Sequence, residues 1–192
     1  GIKKVEIKNE PESKPDSVFE FRDASGAIKV SGLLAPLAKS KKISVVIVLK
    51  PANQGTGGIV DATQSGRYGF YIGMQQYKPR VDIFYGSDKH APREDFYNIS
   101  KDKWNMVVFT FNYNEINMQV NDKPRQKTDA WGHDILFAGN AQDFIIGGKS
   151  IYSGINFTGL IGNLLIYDYC ITDEEVTKLK ELYQAGKLNK TL

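Results

Sequence analysis

The stretch FTGLIGNLLIYDYCITDEEVTKLKELY, Phe157 to Tyr183, decides the fold. It opens on one of the most apolar runs in the chain and passes into the one segment with clear helical spacing. Thr172 with Glu175 three positions later forms a capping box, and Asp173 and Glu174 sit where the positive end of a helix favours acids. Val176, Leu179, Leu182 and Tyr183 fall on one stripe, Lys178, Lys180 and Lys187 follow toward the other end, and Gly186 is placed to stop the helix. A helix this short persists only when docked. A buried last strand leading into an amphipathic helix therefore predicts a sandwich whose helix covers the outer face or edge of one sheet, keeping it from pairing with another chain.

Upstream, short β-branched and aromatic segments recur between Gly, Pro, Asn and Asp clusters, as in antiparallel sandwiches. Strands are expected in SVFEF (17–21), KISVVIVLKP (42–51), GGIVDAT (57–63), YGFYIGM (68–74), RVDIFYG (80–86), WNMVVFTFN (104–112), EINMQVN (115–121), DFIIGG (143–148) and FTGLIGNLLIYDY (157–169). The clearest hairpin places Val107, Phe109 and Phe111 on one face and returns Ile116, Met118 and Val120, with the turn at 112–114. Asn121 and Asp122 suit a second tight turn. There is no internal repeat. The whole chain, 1–192, is expected to be one all-β domain, with 9–17 a lead-in or linker, since Pro11 and Pro15 with mixed charges suit neither strand nor helix.

At 192 residues, 41% apolar and 24% charged, the chain has ordinary globular composition, which excludes disordered and fibrous classes. No apolar run approaches the ~18 residues of a membrane helix, and the N-terminus lacks the apolar centre of a signal peptide, so it reads as a mature or excised segment. The net charge of +3 is mild and interleaved, which predicts a solvated surface and no nucleic-acid face. One cysteine, Cys170, excludes an internal disulfide; with His90 and His133 beside it, the ligands of a structural zinc site are lacking.

The order of these segments resembles the laminin-G-like, concanavalin A-like lectin and glucanase jelly-roll superfamily. KISVVIVLKP looks like its early core strand, GGIVDATQSGRYGFYIGM like the following hairpin, and DKWNMVVFTFNYNEINMQVNDKP like its tryptophan-led hairpin. FIIGG and FTGLIGNLLIYDYCITDEEV look like its closing strands and terminal helix. The resemblance implies an all-β, antiparallel two-sheet jelly roll with a short C-terminal α-helix. The chain departs from it at Gly162 and Asn163, where many members carry an acidic pair, and at Asp122, where Gly is frequent; the first departure weakens any carry-over of acid-dependent chemistry or metal binding.

That superfamily includes glucanases, which need two carboxyl groups about 5 to 5.5 Å apart for retention and further apart for inversion. No strand here offers Glu and Asp at alternating positions of one face, so no enzyme activity is expected. The glycines of NQGTGG lack the Lys-Ser or Lys-Thr and helix of a phosphate loop and read as a turn. Cys170 reads as a buried small hydrophobe, and Trp104, heading a core strand, as structural. The sequons at Asn98, Asn156 and Asn189 matter only in a eukaryotic secretory protein.

With catalysis set aside, the expected function is a non-catalytic, lectin-like carbohydrate-binding module of a larger extracellular or surface protein, with a glycan or glycoprotein as partner. Sugars pair apolar ring faces with hydroxyl rims, so their sites combine aromatic platforms with amides and carboxylates. Alternation places Tyr71, Asp82 and Phe84 outward, and with Asn117 and Gln119 they are expected to line one exposed sheet face. A second candidate is a loop rim with Trp131, His133 and Tyr152. No cofactor is required; calcium is the metal the resemblance admits, at Asp61 and Asp168. The alternative is a protein-interaction or adhesion module of laminin-G type. Glycosaminoglycan binding through Lys78, Arg80, Lys89, His90 and Arg93 is opposed by Asp82, Asp88, Glu94 and Asp95 in the same segment. Related sialidase-associated modules hold sialic acid with arginines; EINMQVN supplies none.

Overall fold

The computed structural model describes residues 2–5, 18–22, 26–52, 56–64, 67–86, 88–90, 97–130, 132–137, 143–148 and 155–188. Their elements, in chain order, are β1 (Ile2–Val5), β2 (Val18–Phe21), β3 (Ile28–Val30), α1 (Leu34–Ser40), β4 (Ile43–Pro51), β5 (Gly57–Gln64), β6 (Tyr68–Gln75), β7 (Lys78–Tyr85), β8 (Asp88–His90), β9 (Asn105–Phe111), β10 (Glu115–Val120), β11 (Gln126–Asp129), β12 (Phe144–Ile146), β13 (Gly159–Tyr167) and α2 (Asp173–Gln184). They build a seven-stranded sheet, β1-β2-β13-β4-β9-β10-β11, and a six-stranded sheet, β3-β12-β5-β6-β7-β8. Every strand pairing in both sheets is antiparallel. This is the expected jelly-roll sandwich.

The β4 sequence ISVVIVLKP shows no alternation because both its faces are covered. Val45, Ile47 and Leu49 pack into the core between the sheets, with Val107, Phe109 and Phe111 of β9 and Phe70 and Ile72 of β6. Val46 and Val48 point the other way, into a second apolar layer with Met106, Val108 and Leu165. Helix α2 closes that layer with Val176 and Leu179, helped by Leu182 and Tyr183. The Thr172 side chain accepts from the Glu175 amide and the Glu175 carboxylate accepts from the Thr172 amide, so the capping box is formed. At the other end Gly186, at φ 65°, lets Lys187 N donate to Leu182 O and Gly186 N to Tyr183 O, the paired bonds of a Schellman stop.

Gly162 carries a bulge: the β13–β4 register shifts between Ile161 and Asn163. The extra residue reverses the parity of the strand, so Ile161 and then Leu164 and Ile166 all face the inter-sheet core. The β9–β10 hairpin has the expected register, Phe111 opposite Ile116, Phe109 opposite Met118 and Val107 opposite Val120. Of the two residues expected to take left-handed backbone after it, Asn121 does so, at φ 52°.

Helix α1 was not signalled by the sequence. Its seven residues have no side-chain cap, and it is held by Leu34 and Leu37, spaced i, i+3 and buried in the core. Lys41 ends it in the left-handed region. The three- and four-residue strands β1, β3, β8 and β11 were also unmarked, because short polar edge strands carry almost no periodic signal.

Candidate functional site

Asp61, Tyr71 and Asp82 stand side by side across β5, β6 and β7, as alternation requires. Solvent does not reach Tyr71 or Asp82, and Asp61 is half-buried. Tyr71 is 1% exposed, Asp82 0% and Phe84 2%, so the expected open face is corrected to a covered one. The Asp82 carboxylate accepts two bonds from Arg80, two residues back on the same strand, from Nε at 2.9 Å and from a terminal nitrogen at 3.1 Å. Its hydrogen-bonding capacity is turned inward, and Arg80 leaves the set of cations available to a polyanion. Gly73 is needed beneath Tyr71, because a Cβ there would overlap the Tyr71 hydroxyl.

Asn117 and Gln119 belong to β10 in the other sheet, so the structure does not bring them together with Tyr71 and Asp82. Asn117 is 5% exposed and its amide donates to Thr110 Oγ1, while the Gln119 amide donates to Lys123 O within the following turn. A shared calcium site does not fit either. Asp61 accepts from the amide and hydroxyl of Thr63, and burial pushes its carboxyl above the ordinary range. Asp168 is exposed just beyond β13, in the sequence leaving the other sheet. Among the described residues no three His, Cys, Asp or Glu side chains converge as metal ligands. Cys170 is half-buried, its thiol donates to Phe111 O, and burial pushes its pKa up, the reverse of an activated thiolate.

The loop rim is different. The segment 132–137 is clamped to the sandwich end by Leu136, whose amide donates to Phe84 O and whose carbonyl accepts from Gly69 N. The His133 amide closes a turn on Ala130 O. The His133 imidazole lies flat on the Tyr85 ring, centroids 4.1 Å apart and planes within 9°. His133 itself is exposed. Tyr113, from the β9–β10 turn, is 52% exposed and Leu136 42%. Gly132, at φ 68°, admits the Tyr113 ring, whose nearest atoms lie 3.2 Å from where a Cβ would stand. The Asp134 carboxylate pairs with Lys41 at 2.7 Å and holds that ammonium above its ordinary value. Trp131 and Tyr152 lie outside the described residues, though Trp131 falls in sequence between Ala130 and Gly132 of this rim.

Sequence reasoning picked out His133 and missed two partners. Alternation that points Asp82 and Phe84 outward turns Val81, Ile83 and Tyr85 to the core, yet Tyr85 ends β7 half-buried and carries the imidazole. Tyr113 was absorbed into a turn; an aromatic ring between Asn112 and Asn114 at a hairpin tip is the signal that marks it. The rim offers flat rings beside a carboxylate and an ammonium. Such a set can hold a ligand that has an apolar face and a polar edge.

A laminin-G family model, described as concanavalin A-like lectin/glucanases superfamily, matches residues 22–177. Similar solved structures include the botulinum neurotoxin serotype D binding domain, at TM-score 0.68 and 12% identity, covering 94% of this chain and 46% of that one. The botulinum neurotoxin DC binding domain is similar both in complex with rat synaptotagmin II (TM-score 0.66, 14% identity, 96% and 47% covered) and in complex with SialylT (TM-score 0.67, 15% identity, 96% and 47% covered). At these identities the likeness shows the fold alone, and the chain spans less than half the length of these solved chains. No curated protein matches the sequence.

Proposed function

We propose that this chain, which belongs to the concanavalin A-like lectin/glucanases superfamily, is a non-catalytic carbohydrate-binding module of a longer extracellular or surface protein. The carrying observation is the His133–Tyr85 stack beside exposed Tyr113 on a clamped rim. Stacked and edge-exposed rings suit the C–H face of a pyranose, and Asp134 and Lys41 supply an acceptor and donors for hydroxyls. Structurally similar neurotoxin domains lend support, one solved with SialylT and another described through type C cell entry dependent on two ganglioside molecules. Trp131 is a further proposed sugar-binding residue, on the ground of its sequence context alone.

A glycan array, with and without EDTA, tests it. Retention of defined glycans, unchanged by chelation, is the expected result; no retention on a wide array contradicts it. Incubation with a polysaccharide panel should release no reducing ends.

The second reading, a protein-interaction module, is favoured by one feature. A groove of about 530 Å³ runs along β13, lined by Phe19, Leu33, Phe144, Ile146, Leu164 and Ile166. Phe19 is exposed there, and a similar neurotoxin domain is solved with rat synaptotagmin II. A domain that ignores every glycan yet retains a protein ligand favours this reading.

A further inference from the structure

At the end of the sandwich opposite the aromatic rim, β4 finishes and β13 begins. There Pro51 stands opposite Gly159 and Gly159 opposite Phe21, whereas Ile43 and Phe111 mark the rim end. A cleft of about 440 Å³ opens on the outer face of the seven-stranded sheet, within the ~300 to 1,000 Å³ usual for small-molecule sites. We propose that this cleft is a second binding site, for a neutral polyhydroxy ligand such as one or two pyranose units.

Its floor is set by strand register. Glu20, Leu160 and Lys50 stand in one row across β2, β13 and β4, all pointing outward because Phe21, Ile161 and Leu49 beside them fill the core. Leu160 thus presents an aliphatic surface between a carboxylate and an ammonium. Arg22, two residues past Glu20 on the same face, pairs with it at 2.8 Å. Asp102 completes the wall.

That wall is held in place. Asp102 adopts left-handed backbone at φ 52° and its amide donates to Pro51 O at 3.0 Å. The turn around it is tied by fully buried Asn105, whose Oδ1 accepts from Ser100 N and whose Nδ2 donates to Ser100 O and Lys103 O. On the other side the Ala52 amide donates to Thr158 O at 2.9 Å. Gly159 lies so close to β4 that a Cβ would stand 2.9 Å from Ala52 N.

The charge pattern selects the ligand class. The lining holds two carboxylates, Glu20 and Asp102, and two cations, Arg22 and Lys50. An anion meets the carboxylates and a cation meets Arg22 and Lys50, so either is opposed within the cleft. A hydroxyl both donates and accepts, and bridges a carboxylate and an ammonium without adding charge. A pyranose also has a C–H face to lay on Leu160. The proposal extends the glycan reading to a second site, and a residue-resolved measurement lets the two fail separately.

The ¹⁵N-labelled chain is titrated with lactose, maltose and cellobiose, and separately with sodium sulfate. The expected result is saturable amide shifts at residues 20–22, 50, 52, 102 and 158–160 with at least one disaccharide, and none there with sulfate. Asp102→Gly, which keeps the positive φ without strain, should weaken those shifts about tenfold while distant amides stay in place. His133→Ala with Tyr113→Ala should leave them intact. Shifts confined to the rim overturn the second site and leave the first standing; shifts confined to the cleft do the reverse. Sulfate-only shifts, or none at the cleft with any disaccharide, overturn the proposal.

Discussion

Asp82 occupies a strand position that would offer it to a sugar, and solvent reaches none of it. Its bidentate partner Arg80 is nearly as deep, so Asp82→Ala removes two charge-assisted hydrogen bonds in a covered site and should cost ~3 kcal/mol in urea unfolding. A loss below ~1 kcal/mol would show that water reaches the pair. His133 is the opposite case: exposed and stacked on one ring, its replacement by alanine should change stability by under ~0.5 kcal/mol. Alternation told correctly which way Tyr71, Asp82 and Phe84 point. It was silent on burial, because alternation fixes which face a side chain takes and carries no information on what packs over that face. The His133–Tyr85 stack joins residues of separate elements and has no local signature either.

Helix α2 was the most legible element, since cap, stripe and stop are all local. Thr172→Ala should cost ~1 kcal/mol through loss of the cap. Glu175 adds a pH dependence. The Thr172 amide and then the Tyr169 hydroxyl donate to its carboxylate and depress its pKa in the folded state. A depressed folded pKa stabilises above the unfolded value, about 4.3, and that contribution fades as pH falls through the folded value. Glu175→Gln should therefore flatten the acid side of the melting profile and leave its alkaline side unchanged; an unaltered acid side would mean the box is open in solution. Truncation before Thr172 uncovers Val46, Val48, Met106, Val108 and Leu165, and size-exclusion chromatography should show aggregation. Strand β4 was legible as a buried run, although only the second apolar layer explains why both its faces are apolar. The α1 helix was not legible, because two leucines in seven residues make no period.

For the molecule as a whole, two apolar layers lie on either side of one seven-stranded sheet, with the rim at one end of the sandwich and the cleft at the other. Asp61 and Asp168 sit apart, so EDTA should leave the melting temperature unchanged; a fall of several degrees would reveal a stabilising metal. The order of strands and closing helix in the sequence was enough to indicate the superfamily, because each segment carries its own turn chemistry and burial pattern. Ligand identity was not, because the rim is assembled from three separated segments around residues 85, 113 and 133. The most direct measurement compares the affinity of the wild-type chain and of the His133→Ala/Tyr113→Ala variant for a glycan retained on the array, with thermal melts alongside. Loss of binding by tenfold or more at an unchanged melting temperature is the predicted result; equal affinity of the two proteins would contradict recognition at the aromatic rim.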